Sequence, residues 1–182
     1  MKKEKDKQKT KGQLAEMLDQ LDYRSNLKFR FSALLYRTIV EEKDYGNGEQ
    51  LKMLDAHILK DIDENQGILS VELSKMWCRT RSAICVIIRR LEKGGYITKK
   101  YIAGNKKERA LFTTDKGHQL CEMHRRYDAR QTGELIQRML EKFSPEEIDS
   151  YFRVLEYQIE VMQKKCHIDE AGNVVFSYDS AE

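Results

Sequence analysis

The sequence predicts a mainly α-helical protein in which short helices and a β-hairpin lie between longer helices. Apolar residues recur at helical spacing along most of the 182 residues, and only one proline is present. After the pair Gly94-Gly95 the pattern changes to that of two short strands around a turn. Charged residues make up 35% of the chain, as expected for long helices with one solvated face.

The chain begins with a lysine-rich arm. Residues 1–12 hold six lysines and two acidic residues, and we expect this arm to lack fixed structure. It serves either as a solubilising tail or as a contact to nucleic-acid phosphates. A helical pattern then runs from Leu14 to Glu42 and ends at the turn sequence YGNG, residues 45–48. The apolar stripe of this helix comprises Leu27, Phe31, Leu34, Leu35, Thr38 and Ile39.

Three further helices follow the turn. The apolar spacing predicts the first over residues 51–62 and the second over residues 70–77, with Ser70 as the N-cap of the second. Thr80 is the expected N-cap of the third. Because only two residues separate the second helix from that cap, the arrangement is typical of a helix-turn-helix.

The third of these helices has two chemically different faces. One face is aliphatic, at the spacing i, i+3, i+4 and i+7, and consists of Ile84, Ile87, Ile88 and Leu91. The opposite face is polar or basic and carries Arg81, Ser82, Cys85 and Arg89. We expect the first face to lie in a core and the second to face outwards, as the reading helix of a helix-turn-helix does in the major groove of DNA.

A basic β-hairpin is predicted after this helix. Two β-prone runs flank a Gly-Asn turn, and basic residues lie next to the turn at Lys106, Lys107 and Arg109. A helix-turn-helix followed by such a hairpin is a winged helix. Residues 50–114 are therefore predicted to form a winged helix-turn-helix DNA-binding domain.

Positive charge is concentrated in this region. Between Arg79 and Arg109 the chain has ten Lys or Arg and two Glu, a net charge of +8, whereas the whole chain has only +3. A compact basic element on an acidic body is the electrostatic footprint of a nucleic-acid binder. The residues expected to contact DNA are Arg79, Thr80, Arg81, Ser82, Cys85, Arg89, Lys106, Lys107 and Arg109.

Two long helices complete the pattern. Thr114 is an N-cap for a helix reaching about Phe143, and the sequence SPEE at 144–147 forms a capping box for a helix reaching about Lys165. Their apolar faces are larger than a winged domain can cover. We therefore predict that residues 13–45 and 115–165 form an intertwined dimerisation region. The tail, residues 166–182, is either strand-like or disordered.

Composition excludes several other classes of protein. The four cysteines contain no C-x-x-C pair, so we expect thiols rather than a disulfide framework or a zinc knuckle. Neither a membrane-length apolar run nor a signal peptide is present, which predicts a cytoplasmic protein without membrane contact. The sequence also lacks phosphate-binding glycine loops, nucleophile elbows and metalloprotease motifs, so we do not expect an enzyme.

Over roughly residues 25–165 the chain resembles the MarR family of bacterial transcriptional regulators. The resemblance is carried by VELSKMW (71–77), TRSAICVIIRRLEKGGYI (80–97) and TTDKG (113–117). It implies a homodimer that binds a pseudo-palindromic operator in double-stranded DNA, usually as a repressor released by a signal. We expect no required cofactor, and a small organic molecule or a divalent metal as the possible signal. A winged-helix module that binds only other proteins is the alternative, which the basic reading face disfavours.

The sequence departs from the family pattern in two places. The family's wing commonly has Asp-x-Arg where Asn105 and Lys107 stand here. Lysine acts as a point charge and arginine as a planar fork, so we expect the wing to contact phosphates with less selectivity for groove shape. Cys85 occupies a position where Ser or Thr is usual. It is either an inert thiol or a group whose oxidation would disturb the DNA-binding face.

Three residues are candidates for sensing a signal. His124 and Asp128 are one helical turn apart, and His57 lies on an earlier helix. Zinc-responsive members of the MarR family are similar at these positions, and a fourth ligand could come from Glu41 or Glu42. The trio is thus a divalent-metal site, a hydrogen-bonded structural pair with a neighbouring histidine, or the wall of an organic-ligand pocket.

Overall fold

The computed structural model describes the backbone of residues 2–102, 105–169 and 173–177, and the side chains of these residues except 2–11, 102, 105–108 and 168. The helices are α1 (Lys2–Val40), α2 (Met53–Glu64), α3 (Ser70–Met76), α4 (Arg81–Lys93), α5 (Asp115–Leu140) and α6 (Pro145–Lys165). The strands are β1 (Glu42–Asp44), β2 (Gln50–Lys52), β3 (Ile97–Ile102), β4 (Asn105–Thr113), β5 (Cys166–Ile168) and β6 (Val174–Phe176). The mainly helical winged fold is confirmed. The chain divides into two compact units, residues 1–42 and 43–182.

The first unit consists almost entirely of α1. The prediction that residues 1–12 lack fixed structure is wrong for the backbone from residue 2 onwards, which is helical; Lys, Gln and Glu are good helix formers, and no proline interrupts them. Twelve large hydrophobic side chains of α1 are each at least 44% exposed in the single chain: Leu14, Met17, Leu18, Leu21, Tyr23, Leu27, Phe29, Phe31, Leu34, Leu35, Tyr36 and Val40. An apolar face of this length indicates a surface that another chain covers.

The second unit has one hydrophobic core. The aliphatic face of α4 is buried as predicted, with Ile84, Ile87, Ile88 and Leu91 all at most 4% exposed. The other members of the same buried cluster include Ile58, Leu59 and Ile62 of α2, Leu73 of α3, and Ile97 and Leu111 of the wing. Each such side chain contributes about 1.5–3 kcal/mol when fully buried. The core therefore fixes α4 with its polar face outwards.

The turn sequence YGNG belongs to a small sheet that the sequence pattern did not predict. β1 and β2 pair with each other, and the Asp44 carboxylate accepts hydrogen bonds from the backbone N–H groups of Gly46, Asn47 and Gly48 at 2.7–3.0 Å. These bonds, the one from Gly46 above all, lower the pKa of Asp44. Because β2 takes the first residues of the predicted helix, α2 begins at Met53, two residues later than predicted.

The start of α3 also differs from the prediction. Its N-cap is Leu69, whereas Ser70 is the first helical residue. The backbone N–H of Leu69 donates to the Glu72 carboxylate at 2.8 Å, so the acidic side chain three residues later provides the capping contact. At the other end of α3, the indole N–H of Trp77 donates to Asp61 of α2 at 2.6 Å, which joins the two helices.

The wing is the predicted β-hairpin. β3 and β4 pair antiparallel from Ile97 opposite Thr113 to Tyr101 opposite Arg109, and the register shifts after Tyr101. Of the predicted Gly-Asn turn, residue 104 lies outside the described residues. Ile97 and Leu111 face the core, so alternate residues of the hairpin are free to face outwards.

Both C-terminal helices begin at the predicted caps. The Thr114 hydroxyl accepts from the backbone N–H of Gly117 at 3.1 Å. Ser144 and Glu147 form the reciprocal capping box, at 3.3 Å for Glu147 N–H to the Ser144 hydroxyl and 2.8 Å for the reverse contact. α5 ends at Leu140, a few residues earlier than predicted, and α6 ends at Lys165 as predicted.

The start of α5 is fixed against the end of α4. The Thr114 backbone N–H donates to the carbonyl of Tyr96 at 3.0 Å, and its hydroxyl donates to the carbonyl of Gly95 at 2.7 Å. A Cβ atom at Gly117 would overlap the Tyr96 carbonyl. A side chain at this position would therefore separate α5 from the backbone that follows α4.

The C-terminal tail is strand-like where the structure describes it. β5 and β6 form an antiparallel hairpin, with Cys166 opposite Phe176. Cys166 also forms a disulfide with Cys78, with the two Cα atoms 6.2 Å apart. The prediction that all four cysteines are thiols is therefore wrong. The two cysteines are 88 residues apart, and only the tertiary fold brings them within the distance that a disulfide requires.

Candidate functional site

The turn between α3 and α4 is fixed by local hydrogen bonds. The buried Ser74 hydroxyl donates to the carbonyl of Arg79, and the Arg79 backbone N–H donates to the carbonyl of Ser74 at 3.0 Å. The Thr80 hydroxyl accepts from the backbone N–H of Ala83 at 3.2 Å, which confirms the predicted N-cap of α4. Together these contacts set the direction in which α4 leaves the turn.

The polar face of α4 is open to solvent. Arg81, Ser82, Cys85 and Arg89 are all exposed, while Arg79 and Thr80 are half-buried in the turn. The hydroxyls of Thr80 and Ser82 lie 3.0 Å apart, and Arg89 donates through Nε to the carbonyl of Cys85 at 3.3 Å. The first turn of α4 thus offers a guanidinium and hydroxyl groups, the donor and acceptor types that read base edges.

A buried ion pair holds α4 against α2. Arg90 donates to both carboxylate oxygens of Asp55, each at 2.8 Å. The Asp55 side chain is only 2% exposed, whereas that of Arg90 is 44% exposed. Sequence reasoning missed this contact because the two residues are 35 positions apart and no local pattern connects them.

The wing presents oriented cations beside α4. The Arg109 guanidinium lies 4.8 Å from the centre of the Tyr101 ring and donates to its hydroxyl at 2.9 Å. Lys99 is paired with Glu92 of α4 at 2.6 Å. Lys106 and Lys107 belong to β4, but their side chains lie outside the described residues, so their contact with DNA stays a prediction.

A groove of about 610 Å³ lies between α4, the start of α3 and the wing. Its polar and basic lining consists of Ser70, Ser82, Cys85, Arg89, Lys99 and Arg109. The cations of the helix and of the wing therefore meet along one groove. A groove with cations on both sides suits a phosphate backbone, which binds mainly through charge.

The structure brings the three candidate sensing residues together. One ligand atom from each of His57, His124 and Asp128 lies within 4.8 Å of the others. Asp128 Oδ2 is 3.4 Å from His124 Nδ1 and 4.0 Å from His57 Nε2. The two imidazole rings meet edge to face, with centroids 4.7 Å apart.

His124 is the central residue of this cluster. It is fully buried, and neither ring nitrogen has a hydrogen-bond partner, because the 3.4 Å contact to Asp128 lacks hydrogen-bond geometry. Burial lowers the pKa of His124 to about 4, against an opposing effect of the Asp128 charge. The Tyr45 hydroxyl, on a ring 4.8 Å from that of His124, is likewise buried without a partner. An unpaired buried histidine of this kind is costly unless a ligand completes it.

The two remaining cysteines differ in exposure. Cys85 is exposed on the polar face of α4, and Cys121 is buried in α5. Burial raises the pKa of Cys121 to about 12, so this thiol is held in its unreactive protonated form. The two interpretations of Cys85, an inert thiol and a group whose oxidation would disturb the DNA-binding face, both stay predictions.

No helix among the described residues is long and apolar enough to cross a membrane. Comparison with curated protein sequences gives no match. The sequence profile of the MarR family matches residues 51–108, which contain α2, α3, α4, β3 and the first residues of β4.

Solved structures similar to the chain are transcriptional regulators. FabT of Streptococcus pneumoniae in complex with DNA is 17% identical, with a TM-score of 0.60 over 78% of this chain and 98% of that one. A SlyA-like regulator from Listeria monocytogenes is 27% identical, with a TM-score of 0.55 over 83% and 87% of the two chains.

A further similar structure is more closely related in sequence. It is a MarR family transcriptional regulator from Listeria monocytogenes complexed with a 26mer DNA, and it is 31% identical to this chain. The TM-score is 0.55, and the match covers 63% of this chain and 73% of that one. With its winged helix, its exposed basic reading face and this identity, the chain belongs to the MarR family of DNA-binding transcriptional regulators.

Proposed function

We propose that the protein is a dimeric repressor that binds a pseudo-palindromic operator, with one α4 and one wing entering each half-site. The observation that supports this most strongly is the groove in which Arg89 of α4 and Arg109 of the wing line the same cavity. Dimer formation is supported by the exposed apolar face of α1 and by exposed side chains of α6 such as Ile159. We propose that the protein acts by binding DNA and not by catalysing a reaction.

A salt titration with matched arginine variants tests this proposal. Binding of a fluorescent duplex is measured by anisotropy at several salt concentrations for the wild type, Arg109→Ala and Arg153→Ala. Both variants remove one positive charge, but Arg153 lies on α6, outside the groove. If Arg109 neutralises one phosphate, its variant lowers the salt slope by about 0.9, while Arg153→Ala keeps the wild-type slope. Binding that does not respond to salt, or equal slopes for the two variants, contradicts the proposal.

We further propose that a divalent metal is the signal, held by His57, His124 and Asp128. Two ligands of a tetrahedral zinc ion at about 2.0–2.1 Å are about 3.4 Å apart. His124 Nδ1 and Asp128 Oδ2 already have this separation, whereas His57 is about half an ångström too far from Asp128. The unpaired nitrogens of His124 favour this proposal over a structural pair, because such a pair would satisfy them.

A second histidine–aspartate pair, between α5 and α2, provides the control. His118 lies 3.0 Å from Asp63, outside the cluster. Calorimetric titration with Zn²⁺ is expected to show one site per chain that His124→Gln abolishes and His118→Gln keeps. An equal loss in both variants would place the metal elsewhere. Absence of zinc binding in the wild type would leave the structural pair or an organic effector as the explanation of the cluster.

A further inference from the structure

The disulfide between Cys78 and Cys166 joins two functionally different parts of the second unit. Cys78 lies in the turn directly before Arg79 and Thr80, where α4 begins. Cys166 follows the last residue of α6, a helix assigned to the dimerisation region. The bond therefore connects the turn before α4 to the C-terminal end of α6, across 88 residues of sequence.

Cys78 also has an unusual backbone conformation. Its φ angle is +47°, the only positive value at a non-glycine residue in the part of the chain that the structure describes. This left-handed region is unfavourable for a residue with a Cβ atom and persists only where the surroundings hold it. The disulfide is one of the contacts that hold Cys78, together with the hydrogen bond from its N–H to the carbonyl of Lys75 at 3.2 Å.

We propose that Cys78 and Cys166 form a redox-controlled link whose oxidised state holds the turn in the conformation that binds DNA. On reduction, the turn loses its covalent link to α6, Cys78 relaxes towards negative φ, and the start of α4 changes direction. The reduced protein consequently binds operator DNA more weakly. This inference rests on the proposed function as a DNA-binding regulator.

A hydroperoxide is the oxidant that converts the two thiols of Cys78 and Cys166 into the disulfide. One thiol loses its proton, the thiolate attacks hydrogen peroxide, the O–O bond breaks, and a sulfenic acid and hydroxide form; the hydroxide takes up the proton and becomes water. The second cysteine then loses its proton, its thiolate attacks the sulfenic sulfur and the S–S bond forms; the hydroxide that leaves takes up this second proton and becomes the second water. Both cysteines are only half-buried, so a small oxidant and a thiol reductant can reach them, in contrast to the fully buried Cys121.

Two substitutions of Cys78 distinguish the effect of the disulfide on DNA affinity from the effect of the backbone conformation at this residue. Glycine adopts positive φ without a steric penalty, so Cys78→Gly is expected to bind as tightly as the oxidised wild type, whether or not reductant is present. Cys78→Ser keeps the penalty and cannot form the bond, so it should bind like the reduced wild type in both conditions. Cys166→Ser should behave as Cys78→Ser does.

The experiment uses the whole chain of 182 residues and a duplex that the wild type selects from a random-sequence pool. Affinity is measured by anisotropy after treatment with hydrogen peroxide or with dithiothreitol, circular dichroism checks the fold, and peptide mapping identifies the bond. We expect the oxidised wild type to bind at least about fivefold more tightly than the reduced form, the factor that 1 kcal/mol produces at 25 °C. Cys85→Ser is the control for the exposed free thiol, and the ratio between its oxidised and reduced affinities should match that of the wild type.

The outcomes are distinguishable. Equal affinity in both redox states, tighter binding after reduction, or a redox response that persists in Cys166→Ser would overturn the redox link and leave DNA binding intact. A tryptic map of the oxidised protein without the joined Cys78 and Cys166 peptides would also overturn it. Absence of DNA binding in either state would refute the proposed function, and the link with it.

Discussion

Replacing Arg90 with methionine is expected to destabilise the protein by about 3 kcal/mol. The change leaves the Asp55 carboxylate, 2% exposed, without the guanidinium that binds both of its oxygens. Breaking a buried ion pair from one side costs about 3–5 kcal/mol. The lower end applies here, because 44% of the Arg90 side chain is exposed and solvent screens part of its charge. For a chain of this size the loss corresponds to a fall in Tm of about 9 °C.

Urea unfolding at neutral pH measures this effect, and two further variants make it specific. Arg89→Met removes the adjacent, exposed arginine and should change stability by less than about 0.5 kcal/mol. Asp55→Leu combined with Arg90→Met removes both charges and should recover most of the loss, since the buried carboxylate is gone. A loss below about 1 kcal/mol for Arg90→Met, or a double variant as unstable as the single one, would refute the idea that this pair fixes α4 on α2.

Three other predictions test separate parts of the molecule. Arg81→Ala should reduce the preference for operator over scrambled DNA by about 1–3 kcal/mol, while Lys107→Ala should weaken both duplexes alike and lower the salt slope by about one unit; the opposite pattern in anisotropy titrations would reverse the two roles. Changing Leu155 and Ile159 together to Asp should give a monomer or an insoluble chain, and a folded dimer in sedimentation analysis would disprove the assignment of α6 to the interface. In chelator-treated protein, His124 takes up a proton below its ordinary pKa of 6.5 in the unfolded state, but only near pH 4 in the folded state. The free energy of unfolding should therefore fall by on the order of 2–3 kcal/mol as the pH decreases from 6.5 towards 4. A stability difference between the wild type and His124→Gln that stays constant from pH 7.5 to about 4.5 would rule this out.

Local sequence signals predicted most of the second unit. The caps at Thr80, Thr114 and Ser144 and the buried face of α4 all depend on residues within one or two helical turns of each other. Such patterns are visible in the sequence because the interacting groups have fixed spacing. The wing was predicted for the same reason, since hairpin strands are neighbours along the chain.

Contacts between distant residues could not be predicted in this way. The Asp55–Arg90 pair and the Cys78–Cys166 disulfide span 35 and 88 positions, and any charged pair or cysteine pair would have looked the same in the sequence. The candidate sensing cluster is an intermediate case. His124 and Asp128 share a helix turn, but the resemblance to zinc-responsive regulators, rather than spacing, placed His57 beside them. That the ring nitrogens of His124 are buried without a hydrogen-bond partner is visible only in the folded chain.

The close contact between Gly117 and Tyr96 couples any tilt of α5 to the position of the reading helix α4. At 26 residues and 1.5 Å per residue, α5 is about 39 Å long, and its first turn packs against the backbone that directly follows α4. If the far end of α5 is held in a dimer, a rotation of about 10° at this joint displaces one end by about 7 Å relative to the other, roughly two base-pair steps along DNA. A small effector that tilts α5 by about 10° could therefore move a reading helix out of register with its half-site without unfolding the protein.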